Sequence, residues 1–143
     1  YNTYGPRIRA DGYYARALPR FISQSVKGDD ITIYGDGTQT RSFCYVSDTI
    51  RGVLSAFCNN SAKGEVFNIG NTQEISILEL AGKIRNLTGS RSRIIFRPLP
   101  KDDPKRRKPD IKKAEKILGW HPEISLNTGL QRTIKWFKSY SLF

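Results

Sequence analysis

Short apolar runs alternate with amphipathic stretches along this chain. From about Tyr14 to Val26 the residues Leu18, Phe21, Ile22 and Val26 recur at helical spacing, and Gly28 is a natural stop. Pro19 fits such a helix only in its first turn. Upstream, Tyr1 to Arg7 reads as the end of a strand entering a turn at Gly5-Pro6, with a polar loop from Ile8 to Gly12. Ile31 to Tyr34 is an extended run that stops at Gly35-Asp36-Gly37. Phe43 to Val46 resume a β-prone run, and Ser47 or Asp48 can then cap a helix reaching about Cys58. Its expected buried stripe is Ile50, Val53, Leu54 and Phe57.

Beyond a surface loop over 59–64, Val66 to Ile69 reads as a short strand closed by Gly70. Ser76 and Glu79 form a capping box, opening a helix that presents Ile77, Leu80, Ala81, Ile84 and Leu87 and ends at Gly89. Arg93 to Arg97 alternates as a strand. Pro98, Pro100, Pro104 and Pro109 exclude a helix and disfavour a core strand across the basic run Lys105–Lys108. Asp110 is expected to cap a short helix carrying Ile111, Ala114, Ile117 and Leu118, with Gly119 as its stop. Trp120-His121-Pro122 is a turn with an aromatic anchor, and Ser125 caps a last helix lined by Leu126, Leu130, Ile134 and Phe137. Alternating strands and helices predict an α/β fold, with about four strands visible, too few for a self-sufficient sheet.

Composition changes this picture in four ways. The 143 residues are 38% apolar and 11% aromatic, enough for a packed core, yet the chain opens on Tyr1 and holds no Met, so it is expected to be part of a longer protein. No leader and no long apolar run is present, which predicts neither targeting nor a membrane span and places the protein in the cytoplasm. Cys44 and Cys58 lie among apolar residues and are expected to be two buried free thiols; no metal-ligand spacing occurs. The net charge of +11 predicts an anionic partner, nucleic acid or a phosphate-bearing small molecule, unless an acidic remainder of the protein neutralises it.

The candidate chemistry gathers around residues 34–43. Gly35 and Gly37 permit a tight turn, from which Gln39 and Arg41 can reach an anion. Arg7 with Arg9, Arg16, and Arg106 with Arg107 also stand beside turns or helix starts, and guanidinium forks from separate loops can converge on a diphosphate and a carboxylate. Any one of these arginines alone reads better as solvated or locally paired. The Lys105–Lys108 run lacks the interleaved aromatics of a single-strand binder. His121 is expected to be a turn residue, and Asp102, Asp103 and Asp110 to be caps or local ion pairs. Tyr34 sits where a ring could stack on a base. No phosphate-binding loop, dinucleotide fingerprint, Tyr-x-x-x-Lys pair or H-E-x-x-H occurs.

Several blocks resemble one family in order. Asn2-Thr3-Tyr4-Gly5-Pro6-Arg7, Asp11-Gly12, Phe21-Ile22 and the run Ile33 to Asp48 resemble extended short-chain dehydrogenases acting on nucleotide sugars. Asp102 to Ala114, followed by Leu118-Gly119-Trp120, closely resembles the UDP-glucuronate decarboxylases, or UDP-xylose synthases. The resemblance implies that residues 1–143 are a C-terminal, substrate-binding portion, with 1–5 and about 43–70 belonging to the side of a Rossmann sheet whose NAD-binding part lies elsewhere. It implies oxidation at C4 of UDP-glucuronate by NAD, loss of CO₂ and re-reduction to UDP-xylose. Residue by residue it implies that Asn2, Arg16 (across a two-residue insertion around Tyr13-Tyr14), Thr32, Tyr34, Gln39 and Arg41 bind substrate, that Thr3 faces the cofactor, and that Arg107 assists decarboxylation. It implies a full-length homodimer, a UDP-sugar ligand, no nucleic acid, no membrane, and a chain inactive by itself. A nucleotide-sugar 4,6-dehydratase or 4-epimerase is the alternative within the superfamily; a basic nucleic-acid-binding module is the alternative outside it.

Overall fold

The structure, a computed structural model, describes residues 2–10, 16–99 and 104–140. The expectations for Asp11-Gly12, Tyr13-Tyr14, Asp102 and Asp103 lie outside these residues. The elements run β1 (Thr3–Tyr4), α1 (Ala17–Lys27), β2 (Ile31–Tyr34), β3 (Thr40–Ser42), β4 (Cys44–Tyr45), α2 (Val46–Cys58), β5 (Glu74–Ser76), α3 (Ile77–Thr88), β6 (Ile94–Arg97), β7 (Arg106–Arg107), α4 (Lys112–Leu118) and α5 (Leu126–Tyr140), with a 3₁₀ turn at Asn60–Ala62. The strands form three small sheets: β1 parallel to β4, β2 parallel to β6, and β3 between antiparallel β5 and parallel β7. The α/β class is therefore borne out.

The main core is built where the sequence periodicity puts it. Leu18, Phe21 and Ile22 of α1, Leu80, Ala81 and Ile84 of α3, and Leu130, Ile134 and Phe137 of α5 close over Ile31 and Ile33 of β2. Each such side chain removed from water contributes about 1.5–3 kcal/mol. Pro19 occupies the first turn of α1, where its missing N–H costs nothing. The Ser76–Glu79 capping box is fully formed at the start of α3, Ser125 Oγ accepts from Thr128 N at 3.1 Å, and Gly28, Gly89 and Gly119 end their helices in the left-handed conformation.

Helix α2 departs from its expected orientation. Ile50, Val53 and Leu54 are exposed, and Phe57 keeps 87% of its surface in solvent. The inward face is instead Asp48 and Gly52. A methyl group on Gly52 would stand 2.9 Å from Ile69 and 3.1 Å from Trp120, so the absence of a side chain lets the indole lie against the helix. Trp120 Nε1 donates to the carbonyl of Asp48 at 2.9 Å, and the Asp48 carboxylate accepts from the amides of Glu123 and Ile124 at 3.1 and 2.9 Å. Arg51 bridges Asp48 to Glu123 and the carbonyl of His121. These bonds set the rotation of the helix, and the apolar stripe faces outward as a result. The start also differs: α2 begins at Val46 after Tyr45 with no side-chain cap, because Asp48 is engaged with the 120–124 turn.

Two further expectations are corrected. Cys58 is exposed and only Cys44 is buried, since Cys58 ends the outward face of α2. Residues 66–69 form no strand: Val66 is largely in solvent, and Asn68 donates instead to the carbonyl of Asp110 at 3.1 Å. Strands form instead at Glu74–Ser76 and, inside the proline-rich basic segment, at Arg106–Arg107, the latter as an exposed edge that the flanking prolines tolerate. Asp110 does act at the start of α4, its carboxylate accepting from Lys112 N at 3.0 Å, one residue before the assigned cap. Among the described residues no helix is long and apolar enough to cross a membrane.

Candidate functional site

The site starts from the register of the three-stranded sheet. Parallel pairing sets Thr40 opposite Arg106 and Arg41 opposite Arg107, and antiparallel pairing sets Arg41 opposite Ile75 and Ser42 opposite Glu74. Side chains alternate between faces along a strand, so Arg41 and Arg107 share one face while Thr40, Glu74 and Arg106 share the other. On that second face Glu74 accepts from Arg106 Nε at 2.9 Å, from the terminal guanidinium nitrogen at 2.6 Å and from Thr40 Oγ1 at 2.8 Å. The Arg106 bonds, then that of Thr40, hold the Glu74 carboxyl down at about 2. Ser42 Oγ donates to the carbonyl of Arg107 at 3.2 Å, a second tie to the same edge. Glu74 thereby neutralises Arg106, and Arg107 is left on the opposite face beside Arg41.

That face opens on a cavity of about 230 Å³ lined by Asn2, Arg16, Arg20, Tyr34, Gln39, Arg41 and Arg107 among polar residues, with Ala17, Phe43 and Ile77 as its apolar wall. Among the described residues no carboxylate lines it. Arg16 stands at the N-cap of α1 and Arg20 in its first turn, β2 ends at Tyr34, and the turn at Gly35 and Gly37 leads on to β3. Both glycines have positive φ, 75° and 78°, as the tight turn requires. Asp36 braces it by accepting from the amide and hydroxyl of Thr38 at 2.9 and 2.7 Å, which lowers its carboxyl below the ordinary range. Gln39 reaches back to the carbonyl of Tyr34 at 2.7 Å.

Arg41 is buried, and one terminal nitrogen donates to the carbonyl of Thr40 at 2.7 Å. Asn2 takes a positive φ of 39°, which asparagine tolerates better than most residues, and its Nδ2 donates to the carbonyl of Ser42 at 2.9 Å. A concentration of guanidinium groups is a receptor for anions.

Of the residues expected at the site, Asn2, Arg16, Tyr34, Gln39, Arg41 and Arg107 come together here. Thr3 does not line this cavity; it borders an adjoining one with Asn2, Arg16 and Arg107, and its hydroxyl lies 3.1 Å from that of Thr49. Thr32 lines neither. Its amide and hydroxyl are bonded to Gln24, and its carbonyl accepts from Arg20 at 3.3 Å, so it shapes the wall through a neighbour. Arg20 escaped the sequence reading. It follows Arg16 by four residues, and that helical spacing was the available signal.

Residues 1–70 match the family model "NAD dependent epimerase/dehydratase family". The chain is 44% identical over 137 residues to UDP-glucuronic acid decarboxylase 1 of Danio rerio, covering 96% of this chain and 32% of the relative. It is 43% identical over 144 residues to UDP-N-acetyl-alpha-D-glucosaminuronate decarboxylase of Bacillus cytotoxicus, covering 96% of this chain and 44% of the relative. Among solved structures it is similar to UDP-glucuronic acid 4-epimerase from Bacillus cereus in complex with UDP-glucuronic acid and NAD, with a TM-score of 0.88, 36% identity, and coverage of 96% of this chain and 43% of that one. The chain thus spans less than half the length of these relatives. With residues 1–70 matched to the family model, 96% of the chain aligned at over 40% identity to two decarboxylases and its fold shared with the Bacillus cereus epimerase, the chain is similar to the NAD dependent epimerase/dehydratase family.

Proposed function

We propose that this chain is the C-terminal, nucleotide-sugar-binding portion of an NAD-dependent UDP-glucuronate decarboxylase. The observation that carries the proposal is the in-register pair Arg41 and Arg107 on one sheet face, both lining one cavity with Arg16. A nucleoside diphosphate joined to a uronic acid carries charge at two separated places, and such a ligand suits several guanidinium groups held apart on different elements. Asn2, Tyr34, Gln39 and Arg41 would hold the nucleotide and sugar, with Thr32 acting through the wall. Arg107 would stabilise the negative charge that develops as CO₂ leaves. A guanidinium with a pKa above ~12 is a poor proton donor, so charge stabilisation or protonation through a water suits it better.

The residues present do not fit a dinucleotide. The sequence holds no glycine-rich strand–turn–helix fingerprint, and Thr3 shares its hydroxyl with Thr49. NAD is assigned to the part of the relatives that this chain does not match, and the chain alone is expected to be catalytically silent. The same remainder would cover the outward apolar face of α2, with 1–5 and about 43–70 lying on its side. A cytoplasmic homodimer without nucleic-acid or membrane partners belongs to this proposal for the whole protein.

Calorimetric titration tests it. UDP-glucuronate should bind the 143-residue chain. Arg41→Ala and Arg107→Ala should each weaken binding about 10- to 100-fold, the loss of a charge-assisted bond worth about 1.5–3 kcal/mol. No CO₂ should be released. Equal loss on Lys105→Ala, or CO₂ release by the chain alone, would contradict the proposal. A UDP-glucuronate 4-epimerase is the second reading, favoured by the likeness to the Bacillus cereus enzyme. Product analysis of the intact gene product separates the two: UDP-xylose for the first, UDP-galacturonate for the second. Steeply salt-dependent binding to generic DNA with no binding of UDP would favour a nucleic-acid module instead.

A further inference from the structure

Arg20 stands apart from the other arginines of the cavity. Its guanidinium carbon lies 4.7 Å from the centre of the Tyr34 ring and 5.6 Å from that of Phe21. One terminal nitrogen donates to the carbonyl of Thr32 at 3.3 Å. The Nε atom is buried, and among the described residues it has no acceptor. Burial lowers the pKa of the group, opposed only by the nearby Tyr34.

A side chain wanted only for packing between two rings would be better served by Met, which fills the same volume without desolvating a charge or stranding a donor. A planar guanidinium, by contrast, can lie along an aromatic ring and still aim an N–H in its own plane. The stranded donor belongs to a residue that lines this arginine-rich cavity, in company with Tyr34.

We infer that Arg20 orients the bound nucleotide: its Nε–H donates to an acceptor oxygen of a pyrimidine nucleoside diphosphate, while its guanidinium holds the Tyr34 ring as the wall against which that ligand lies. The inference rests on the nucleotide-sugar reading of the cavity and adds a residue whose identity selects the ligand. Lysine could keep the charge near Tyr34 but has no donor at the Nε position and no plane to set the ring. The bound ligand would then supply the acceptor that the Nε donor lacks in the free chain.

The test compares UDP binding by the 143-residue chain with that of Arg20→Met, Arg20→Lys, Tyr34→Leu and the Arg20→Met/Tyr34→Leu pair, with the melting temperature of each. Both Arg20 substitutions should weaken UDP binding by about ten-fold or more, while Arg20→Met melts at or above the parent chain. On the Tyr34→Leu background the same change should cost less than about three-fold, because the two side chains act as one unit. Repeating the titration with UMP locates the acceptor: an equal loss puts it on the nucleoside or first phosphate, a loss confined to UDP puts it on the second phosphate, and either supports the assignment. A merely structural role would lower the melting temperature and be indifferent to Tyr34. Binding of UDP that Arg20→Met leaves within about two-fold of the parent overturns the inference alone, as does a loss of equal size on both backgrounds. No binding of UDP by the parent chain overturns the nucleotide-sugar reading and the inference with it.

Discussion

Gly82 in α3 and Gly129 in α5 are both helical glycines, and helix propensity alone assigns the same benefit to alanine at each, about 0.8–1 kcal/mol. The packing around them separates the two. A methyl group on Gly82 meets nothing within 4 Å. On Gly129 it would collide with the Tyr4 hydroxyl, stand 2.7 Å from Tyr4 Cζ and 2.8 Å from Tyr45 Cδ2. Neither ring can swing away easily. Both are buried and meet edge to face with centroids 5.5 Å apart, and the Tyr4 hydroxyl donates to the carbonyl of Leu126 at 3.3 Å.

Overpacking costs about 1–3 kcal/mol and the loss of that hydrogen bond about 1 more, against a propensity gain of about 1, so Gly129→Ala should lose about 1–3 kcal/mol. At roughly 3 °C per kcal/mol for a chain of this size, it should melt about 3–9 °C below the parent, and Gly82→Ala about 3 °C above. Thermal melts followed by circular dichroism measure both, with urea unfolding as a cross-check on the same scale. If Gly129→Ala melts at or above the parent while Gly82→Ala also rises, the close packing of β1 against α5 is refuted.

Two other outcomes are expected. The Glu74 carboxyl titrates at about 2 in the folded chain, well below its ordinary value, so the unfolded chain takes up its proton first as pH falls. The stabilisation it provides is full above its unfolded pKa and is lost as pH drops from there toward about 2. Urea midpoints between pH 5 and 2.5 should therefore fall more steeply for the parent than for Glu74→Gln, and parallel slopes would contradict the clamp on Arg106. On α2, Leu54→Glu with Phe57→Lys should leave the melting temperature nearly unchanged, because both side chains already face solvent, while reducing dye binding and self-association. A large drop in melting temperature would mean that this face packs inward.

The helices carried most of their own instructions. Periodic apolar residues in 17–27, 77–88 and 126–140, the Ser76–Glu79 box and the glycine stops at 28, 89 and 119 were legible because helical bonds and caps close within a few residues. The tight turn at Gly35–Gly37 was legible for the same reason. The arginines were legible as candidates, since a guanidinium fork advertises anions wherever it stands. What the linear pattern lacked was direction. The stripe Ile50, Val53, Leu54 and Phe57 satisfies helical periodicity whichever way α2 is turned, and it was Trp120, some seventy residues on, that turned it by lying against Gly52 and bonding to Asp48.

By itself the sequence determined the α/β class, the helices with most of their ends, and the stock of cationic side chains, because each depends on local spacing and local hydrogen bonding. Only the tertiary structure decided that Arg106 faces Glu74 while Arg107 faces the cavity with Arg41, that Arg20 joins them beside Tyr34, and that Thr32 stands behind the wall. The facing of Arg106 and Arg107 depends on pairing β7 with β3, more than sixty residues earlier in the chain. A shift of one residue in that register would exchange the two arginines between faces.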